Sequence, residues 1–463
     1  MEKKNGFLAE LNKPIDMTEG TPWRKILSFT LPMLIGNIAQ QLYNTVDSIV
    51  VGRYVGDNAL AAVGSAGPIL NLVLVLFIGI SMGASIVAAQ FLGARDRESL
   101  SHTVGNSIIL IIISSILVTA VGILITRPML ELLGTPASII DWCTSYLWIL
   151  FGGSIGMAFY NIISGILRGL GDSISALVYL VIACVLNIIL DIFFVASLGM
   201  GVNGVALATI LAQSVSAVLC VRRLFKMREY FDMGRKYFRW NKRYGMAIIR
   251  LGVPSGITQA ILSMSMILVQ SLTNSFGEQF IAANVIVMRV DGFAMLPNFS
   301  FGTALTTYAG QNFGAGDMKR VERGAKEGLI LSLGVSAALV ALILLFGRYL
   351  MGIFTNTQEL IDLSMQMMRI LAVGYVAMAV IQSLAGIMRG AGDTVTPMWI
   401  SIAQQVLVRV PAAYLLCYVT RSAEFPIGRQ EMIYVSLLLS WLFGAAVTIF
   451  FYHRGKWKGK TLA

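Results

Sequence analysis

Two motifs recur in this chain at the same interval, and that repetition limits what the chain can fold into. The stretch Gln90–Asp96 (QFLGARD) returns as Gln311–Asp317 (QNFGAGD). The stretch Gly165–Asp172 (GILRGLGD) returns as Gly386–Asp393 (GIMRGAGD). The interval is 221 residues in both cases (311 − 90 and 386 − 165). One register kept over so long a distance in 463 residues indicates two homologous halves.

Composition and the length of the apolar stretches place both halves in a membrane. The chain is 56% hydrophobic and 13% charged, with a mean hydropathy of +0.75, whereas soluble domains carry about 25% charged residues. About 20 apolar residues suffice to cross a bilayer. We count twelve such stretches, at 26–50, 59–88, 103–126, 140–166, 174–197, 202–222, 247–272, 280–308, 327–347, 361–387, 396–419 and 432–452. This predicts an all-α integral membrane protein with twelve transmembrane helices in two pseudo-symmetric six-helix lobes, the usual architecture of secondary transporters.

The placement of lysine and arginine predicts the orientation in the membrane. With both termini in the cytoplasm, the loops on that side carry most basic residues, and the outer loops keep only Arg53, Arg127, Arg348, Arg421 and Arg429. This asymmetry follows the positive-inside rule and predicts a multi-pass protein of the cell (plasma) membrane. The net charge of +11 then reflects topology and contact with membrane lipid, and we expect no nucleic acid as a partner.

The same count divides the chain into five parts. Residues 1–25 form a cytoplasmic tail, 26–222 the N-lobe with helices 1–6, 223–246 a basic cytoplasmic linker, 247–452 the C-lobe with helices 7–12, and 453–463 a second cytoplasmic tail. Basic and aromatic residues alternate in the linker, a composition that fits a regulatory or nucleic-acid surface. We favour an amphipathic segment that lies on the inner leaflet and tethers the two lobes.

Four polar residues in the first half fall at similar depth in their helices. A charge at the centre of a span costs about 2.5–3.5 kcal/mol on insertion scales and usually marks a cavity, a pathway or a pair. Asp47 lies in the outer part of the first helix, and Asp191 lies at a similar level in the fifth. Asn187 is four residues before Asp191 and shares its helix face, and Thr209 lies early in the sixth helix. Together they predict a site for Na⁺ or for a shared proton.

The second half departs from this pattern. Neutral residues, Val408 and Ala412, stand where the repeat would place the second amide and acid. Instead, Arg289 and Asp291 lie on the eighth helix and Arg409 on the eleventh. Asp291 and Arg409 fall at similar depths, so we expect the two to meet. The sequence leaves open whether these residues form a structural ion pair or line the substrate cavity.

Other motifs suggest structure more than chemistry. The repeated Arg-Gly-x-Gly-Asp stretches at Arg168–Asp172 and Arg389–Asp393 lack the context of a nucleotide-binding loop. We interpret them as tight turns with an internal Arg–Asp pair. Pro32 should leave a backbone carbonyl unpaired and permit a bend in the first helix. We expect no metal beyond Na⁺ at the coupling site, no other cofactor, and a monomer.

Taken in order, the motifs resemble those of the multidrug and toxic compound extrusion (MATE) family. The resemblance rests on Leu31-Pro32, Tyr43–Asp47, Val51-Gly52, Ala61–Gly64, Gln90 with Gly93-Ala94, and the two Arg-Gly-x-Gly-Asp turns. It implies twelve helices, cytoplasmic termini and cation-coupled export of organic molecules. One branch of this family has an N-lobe cation site, and Asp47, Asn187, Asp191 and Thr209 match its pattern. The resemblance therefore implies an H⁺- or Na⁺-coupled antiporter that exports amphiphilic organic cations or neutral drugs by alternating access.

Two other classes of function stay open at this point. A flippase for a lipid-linked oligosaccharide would share the twelve-helix duplication, but it should show several cavity cations, and only Arg289 and Arg409 qualify. An integral membrane enzyme is the other class, but the spans contain no metal triad, nucleophile elbow or pair that includes histidine. We therefore expect a transporter and not an enzyme. Its physiological substrate does not follow from the sequence.

Overall fold

The computed structural model describes residues 14–460, which contain helices and no strands. The predicted tails, 1–25 and 453–463, therefore lie partly outside the described residues. We number the α-helices in chain order. They are α1 Pro22–Tyr54, α2 Asp57–Gly93, α3 Arg97–Leu132, α4 Ile140–Gly152, α5 Ser154–Gly169, α6 Ser173–Asp191, α7 Gly201–Lys226, α8 Lys242–Asn274, α9 Glu278–Gly314, α10 Met318–Gly352, α11 Gln358–Gly390, α12 Val395–Ile402, α13 Val410–Val419 and α14 Met432–Arg454.

These helices make twelve long segments within the described part of the chain. Ten are apolar and long enough to cross a membrane as single spans, and α4 with α5 form an eleventh that is bent by 54°. The bend falls at Gly153, where a Cβ would overlap the side chain of Ile210 on α7. The twelfth segment is α1, which has 33 residues but carries Asn37, Gln40, Asn44 and Asp47 along its length. The all-α membrane fold predicted from the sequence is thus confirmed.

Two of the spans contain π-helical turns. In the fifth span, Ser173–Ser197, α6 passes directly into the π-helical segment Ile192–Ser197. In the eleventh, Val395–Val419, the π-helical segment Ala403–Arg409 joins α12 to α13. A π-turn widens the helix and often accompanies a functional site. Both segments lie beside residues that the sequence analysis selected, Asp191 in one case and Arg409 in the other.

Backbone geometry repeats between the two halves at the sequence interval. Gly56 and Gly277 both precede a long helix with positive φ, 107° and 90°. Asp96 and Asp317 both cap the next helix, and each carboxylate accepts a backbone N–H three residues ahead at 2.9 Å. Because these turn and cap residues recur in register, each half builds its helices with the same local signals.

Helix contacts repeat as well. A Cβ on Gly165 of α5 would stand 2.8 Å from the backbone oxygen of Ser81 on α2. A Cβ on Gly386 of α11 would likewise overlap the backbone oxygen of Gly302 on α9. Small residues at such crossings let helix backbones approach closely, which is how helices associate in lipid. The second and fourth spans therefore pack in the first half as the eighth and tenth do in the second.

The chain divides into two compact units whose limits differ slightly from the repeats. Within the described residues, one unit comprises 14–17 and Leu31–Gly256, and the other comprises Thr18–Thr30 and 257–460. The start of α1 thus belongs to the second unit, where the Trp23 backbone N–H donates to Glu327 at 2.9 Å. The start of α8 belongs to the first unit. The predicted lobe limits, 26–222 and 247–452, stay predictions of where each repeat begins and ends.

The predicted linker 223–246 is shorter in the structure, because α7 continues to Lys226 and α8 begins at Lys242. We keep the name linker for 227–241. It is fastened to the start of α3: Arg97 donates to the backbone oxygens of Glu229 and Arg228 at 2.6 and 2.8 Å and to the Asp232 carboxylate at 2.8 Å. The basic side chains of the linker are exposed, whereas Phe231 and Tyr237 are buried. The segment is therefore amphipathic and docked along its length.

Candidate cation and substrate site

The four polar residues predicted in the N-terminal half come together in the structure. Asp47 arrives on α1, Asn187 and Asp191 on α6, and Thr209 on α7. With its carboxamide oriented by the hydrogen-bonding pattern of its neighbours, the amide nitrogen of Asn187 lies 2.8 Å from Asp47 Oδ1 and 2.9 Å from Asp191 Oδ2, and its amide oxygen accepts the backbone N–H of Thr209 at 3.1 Å. This orientation of the carboxamide satisfies all three neighbours, whereas the reverse would press oxygen against oxygen.

Hydrogen bonding to a shared donor holds the two carboxylates close together. Because one nitrogen contacts both, their bonded oxygens lie within about 6 Å of each other. Asp191 is fully buried and Asn187 is 1% exposed, while Asp47 is half-buried. Two negative charges this close in a poorly solvated site repel each other, so one proton or one cation between them would lower the energy of the pair.

One oxygen of the pair is left without a partner. Asp191 Oδ1 is buried and makes no hydrogen bond within the described chain. A buried carboxylate oxygen in this condition costs free energy until a proton or a cation reaches it. Its location, one residue before the π-helical segment Ile192–Ser197, places the uncompensated charge where the helix geometry changes. The cluster is thus chemically suited to take up and release a cation.

Tyr43 also belongs to this cluster, although it was not predicted as a site residue from the sequence. Its hydroxyl lies 3.5 Å from Thr209 Oγ1. Tyr43 is four residues before Asp47 on α1, the same spacing that linked Asn187 to Asp191, so helical periodicity alone could have found it. Thr209 also donates to the Val205 backbone oxygen at 3.0 Å.

A small recess opens beside the cluster, inside the N-terminal unit. Apolar and polar side chains line it together, including Tyr43, Leu180, Cys184, Asn187 and Gln213. The side-chain oxygen of Gln213 is buried and has no hydrogen-bond partner in the described part of the chain. The recess has an empty volume of about 230 Å³, which is smaller than the roughly 300–1,000 Å³ of sites for drug-sized ligands.

The residues selected in the second half do not form the ion pair that we expected. Arg289 is exposed, while Asp291 and Arg409 are each half-buried. Asp291 accepts a hydrogen bond from Tyr375 at 2.9 Å, and Arg409 donates to Gln405 at 3.3 Å. Among residues 14–460, no Arg409 nitrogen comes within the 4.0 Å of an Asp291 oxygen that a salt bridge requires. The prediction of an ion pair used only the depth of the two residues in their helices. Depth does not determine the direction in which a side chain leaves its helix.

The predicted Arg–Asp pair inside the Arg168–Asp172 turn is wrong. Asp172 accepts the backbone N–H of Ser175 at 2.9 Å, as a helix cap, and pairs with Arg223 of α7 at 2.6 Å. Arg168 instead reaches the Ser164 hydroxyl at 3.4 Å. The turn itself is as tight as predicted, since Gly171 has a φ of 88° and its counterpart Gly392 a φ of 91°.

Pro32 lies inside α1, as predicted, so the helix lacks one backbone hydrogen bond there. The four cysteines, Cys143, Cys184, Cys220 and Cys417, are buried and unbonded to one another. Within residues 14–460, no cluster of three or more His, Cys, Asp or Glu side chains could hold a metal ion. Any cation at the N-terminal cluster would therefore use amide and hydroxyl groups besides its two acids.

A duplicated, all-helical membrane bundle with carboxylates inside its spans is an architecture typical of membrane transporters. The sequence model of the MatE family matches residues 32–193 and 254–415, once in each half and at nearly the interval of the repeated motifs. The chain belongs to the MatE family, whose members are transporters and not enzymes. The resemblance to the family that the motifs indicated is confirmed, and the match to the branch with an N-lobe cation site stays a prediction.

Similar proteins point the same way. The chain is 29% identical over 450 residues to the probable multidrug resistance protein YoeA of Bacillus subtilis, covering 95% of each chain. It is 26% identical to the probable multidrug resistance protein NorM of Thermotoga maritima, covering 95% of this chain and 94% of that one. It is also similar to a solved structure described as the outward-facing conformation of a multidrug resistance MATE family transporter, with a TM-score of 0.89, 26% identity, and coverage of 97% and 99%.

Proposed function

We propose that this protein is a proton-coupled antiporter that exports amphiphilic organic cations and neutral drugs or toxins by alternating access. The observation that carries the proposal is the buried Asp191 Oδ1, which lacks a partner in the described chain and lies beside a second carboxylate. An acid inside a membrane span is usually functional, and a buried carboxylate oxygen without a partner is suited to bind a cation. In this proposal the protein lies in the cell membrane with both termini in the cytoplasm, following the positive-inside rule.

The orientation of Asn187 favours a proton over Na⁺ as the coupling ion. Sodium prefers a shell of oxygen ligands, but Asn187 presents its nitrogen to both carboxylates and its oxygen to Thr209. Na⁺ would use the opposite orientation of the carboxamide, in which the amide oxygen turns toward the two carboxylates, so a proton is the ion that matches the orientation assigned from hydrogen bonding. A proton needs no such rearrangement, because it can sit on Asp191 Oδ1 and reduce the repulsion from Asp47.

The recess beside the cluster supplies the substrate part of the proposal. Its wall mixes apolar side chains with the Tyr43 hydroxyl and with the amides of Gln40, Asn187 and Gln213, and it would have to widen to admit a drug-sized molecule. The two nearby acids attract a cationic amphiphile while they are charged. Protonation of the acids weakens that attraction, so uptake of H⁺ and release of the drug are coupled through one local charge. Relatives named as multidrug resistance proteins support this class of substrate.

Coupling also needs two conformations that differ in their affinity for the proton. Pro32 gives α1 a place to bend, 15 residues before Asp47 on the same helix. A bend there would turn Asp47 relative to Asn187 and Asp191, which belong to α6. In this proposal the hydrogen bond between Asn187 and Asp47 forms in one conformation and breaks in the other.

The flippase alternative is not favoured. A carrier of a lipid pyrophosphate needs several cations in its cavity, but the sequence offers only Arg289 and Arg409 as candidates in the second half. The N-terminal cluster has the opposite sign, since its ionisable groups are two acids. A polyanionic substrate would therefore meet repulsion there.

Transport in proteoliposomes tests the proposed function. The purified protein is reconstituted, ethidium is enclosed or added outside, and a pH gradient or a Na⁺ gradient is imposed in separate experiments. We expect ethidium to cross the membrane in the direction opposite to the proton flow that the pH gradient drives. A protonophore should abolish this movement, and a Na⁺ gradient alone should cause none. Movement on the Na⁺ gradient alone would assign Na⁺ as the coupling ion, and no movement on either gradient would contradict antiport.

A further inference from the structure

The linker 227–241 has an outward face that the proposed coupling does not use. Its opposite face is held against α3 by further bonds besides those of the arginine described above. The Asp232 backbone N–H donates to the Ser101 hydroxyl at 2.7 Å, and the Asn241 backbone N–H donates to Asn106 Oδ1 at 2.9 Å. These bonds lie within the linker and at its end, so they fix which side chains the linker presents outward.

The outward face carries positive charge that the described acids leave unpaired. Three basic side chains close to the start of α8 are exposed: Arg235, Arg239 and Lys242. None of them lies within salt-bridge distance of a carboxylate among residues 14–460. Of the two acids in the linker, Asp232 is already bonded to Arg97 at 2.8 Å, and Glu229 lies six residues before Arg235. The local field on this face is therefore positive.

Two large aromatic side chains are exposed among these charges. Phe238 is 39% exposed and Trp240 is 46% exposed. The Trp240 ring lies against the first turn of α8, because a Cβ on Gly245 would overlap it. The fold therefore sets the position of this ring, although nearly half of the side chain stays uncovered. Tryptophan is enriched at the boundary between lipid headgroups and hydrocarbon, where its apolar ring and its polar N–H are both accommodated.

The two helices that the linker joins place this face beside a membrane. Both α7 and α8 are apolar and long enough to cross a bilayer, and the linker connects the end of one to the start of the other. Both ends of the linker therefore lie on the same side, which the positive-inside rule predicts to be the cytoplasm. Anionic lipids give the cytoplasmic leaflet a negative surface potential, and each Lys or Arg near it strengthens binding about fivefold.

We propose that this outward face is a binding site for anionic phospholipid, formed by Arg235, Phe238, Arg239, Trp240 and Lys242. The planar guanidinium groups donate paired hydrogen bonds to headgroup phosphates, and the two aromatic rings enter the lipid beside them. A zwitterionic headgroup binds less well, because its ammonium group is repelled by the same basic side chains. Phosphates of a nucleic acid would meet the same charges, but the ends of two membrane spans beside this face favour lipid. The site does not depend on the proposed coupling ion or substrate.

Native mass spectrometry of the purified protein tests the site. The protein in detergent is titrated with phosphatidylglycerol or phosphatidylcholine, and the bound lipids are counted. We expect the wild-type protein to prefer phosphatidylglycerol, and a triple variant of the site, Arg235→Gln with Arg239→Gln and Lys242→Gln, to bind it about 100-fold more weakly. The matched control removes three other exposed basic residues that lack a carboxylate partner in the described chain: Lys319→Gln with Lys326→Gln and Arg454→Gln. The control should bind phosphatidylglycerol as the wild-type protein does.

Three results would overturn the site. Equal losses in the two triple variants would mean a general attraction between basic protein and acidic lipid, and equal binding of both lipids by the wild-type protein would mean no selectivity. Binding of a fluorescent single-stranded oligonucleotide that the triple variant of the site loses, with phosphatidylglycerol binding unchanged, would assign the face to nucleic acid. A second variant tests the aromatic part: Trp240→Ala should weaken phosphatidylglycerol binding, whereas Trp240→Phe should retain it. Equal binding by these two variants would exclude the ring from the site.

Discussion

In the orientation that its hydrogen-bond partners assign to the carboxamide, Asn187 donates to Asp191 at 2.9 Å across one turn of the same helix. Residues four apart on a helix lie one above the other, so this contact follows from α6 alone. The same nitrogen reaches Asp47 on α1, which makes the amide a bridge between two acids that would otherwise repel each other. Asp191 keeps its second oxygen unbonded within the described chain, and that oxygen is where we propose that the proton binds.

Neutralising either acid should uncouple export from the gradient. In Asp47→Asn or Asp191→Asn, the cluster no longer has two carboxylates whose mutual repulsion a proton would reduce. Ethidium export on a pH gradient should therefore fall to the level of empty vesicles. Both variants should remain folded, since asparagine keeps the shape and can still hydrogen bond. Asp141→Asn is the control, because Asp141 is an exposed acid near Arg127 at 3.4 Å. Full gradient-driven export in both single variants would exclude these acids as the coupling site.

Removing the amide bridge should destabilise the cluster. Asn187→Ala leaves two buried carboxylate oxygens without their donor, at a cost of about 1–3 kcal/mol in the free energy of unfolding. Thermal unfolding in detergent should show this loss, and it should shrink in the double variant with Asp47→Asn, which removes the charge repulsion. Asn44→Ala, at an exposed position of α1, should leave the unfolding temperature unchanged. An unchanged unfolding temperature for Asn187→Ala would mean that the bridge carries no stability.

The sequence predicted the N-terminal cluster well because that prediction needs only helical periodicity and depth. Asp191 and Asn187 share a face by spacing, and Asp47 and Thr209 were placed by counting residues from the ends of their spans. The same count failed for Asp291 and Arg409, since depth does not determine the direction in which a side chain leaves its helix. The π-helical segment before Arg409 widens the turn and changes that direction, and no sequence pattern marked it. The partner of Asp172, likewise, comes from another helix.

The two equivalent turn aspartates should differ in their contribution to stability. Asp172 and Asp393 are equally buried, both 3% exposed, but Asp172 pairs with the largely buried Arg223 at 2.6 Å, whereas Asp393 reaches the more exposed Lys460 at 3.8 Å. Asparagine still caps a helix, so an Asp→Asn change isolates the charge. We expect Asp172→Asn to cost about 3 kcal/mol in the free energy of unfolding and Asp393→Asn to cost less than about 1 kcal/mol. Equal costs in denaturant unfolding would contradict this difference.

Docking of the linker on α3 should not depend on pH in the physiological range. The Arg97 guanidinium holds the pKa of Asp232 below its usual value. A lowered folded-state pKa means that the stabilisation is fully present above the unfolded pKa of about 3.9 and is lost only as pH falls through the folded value. Hydrogen exchange of amides 228–238, corrected for intrinsic rates, should therefore show constant protection between about pH 5 and 8. Asp232→Asn should lower protection throughout that range. A change in wild-type protection within that range would contradict this prediction.

A glycine contact between α2 and α8 should be among the least tolerant positions of the N-terminal unit. A Cβ on Gly83 would overlap the backbone oxygen of Ile248 and stand 2.9 Å from the nitrogen of Gly252. Backbone cannot yield as a flexible side chain can, so Gly83→Val must separate the two helices. Overpacking of this kind costs about 1–3 kcal/mol in well-packed cores, and we expect a cost at the upper end of that range.

Gly64→Val on the same helix is the matched control, because nothing lies within 4 Å of a Cβ there. Gly83→Val should show lower yield of folded protein and a lower unfolding temperature than Gly64→Val. Equal behaviour of the two variants would mean that the close approach of α2 and α8 does not hold in the folded protein.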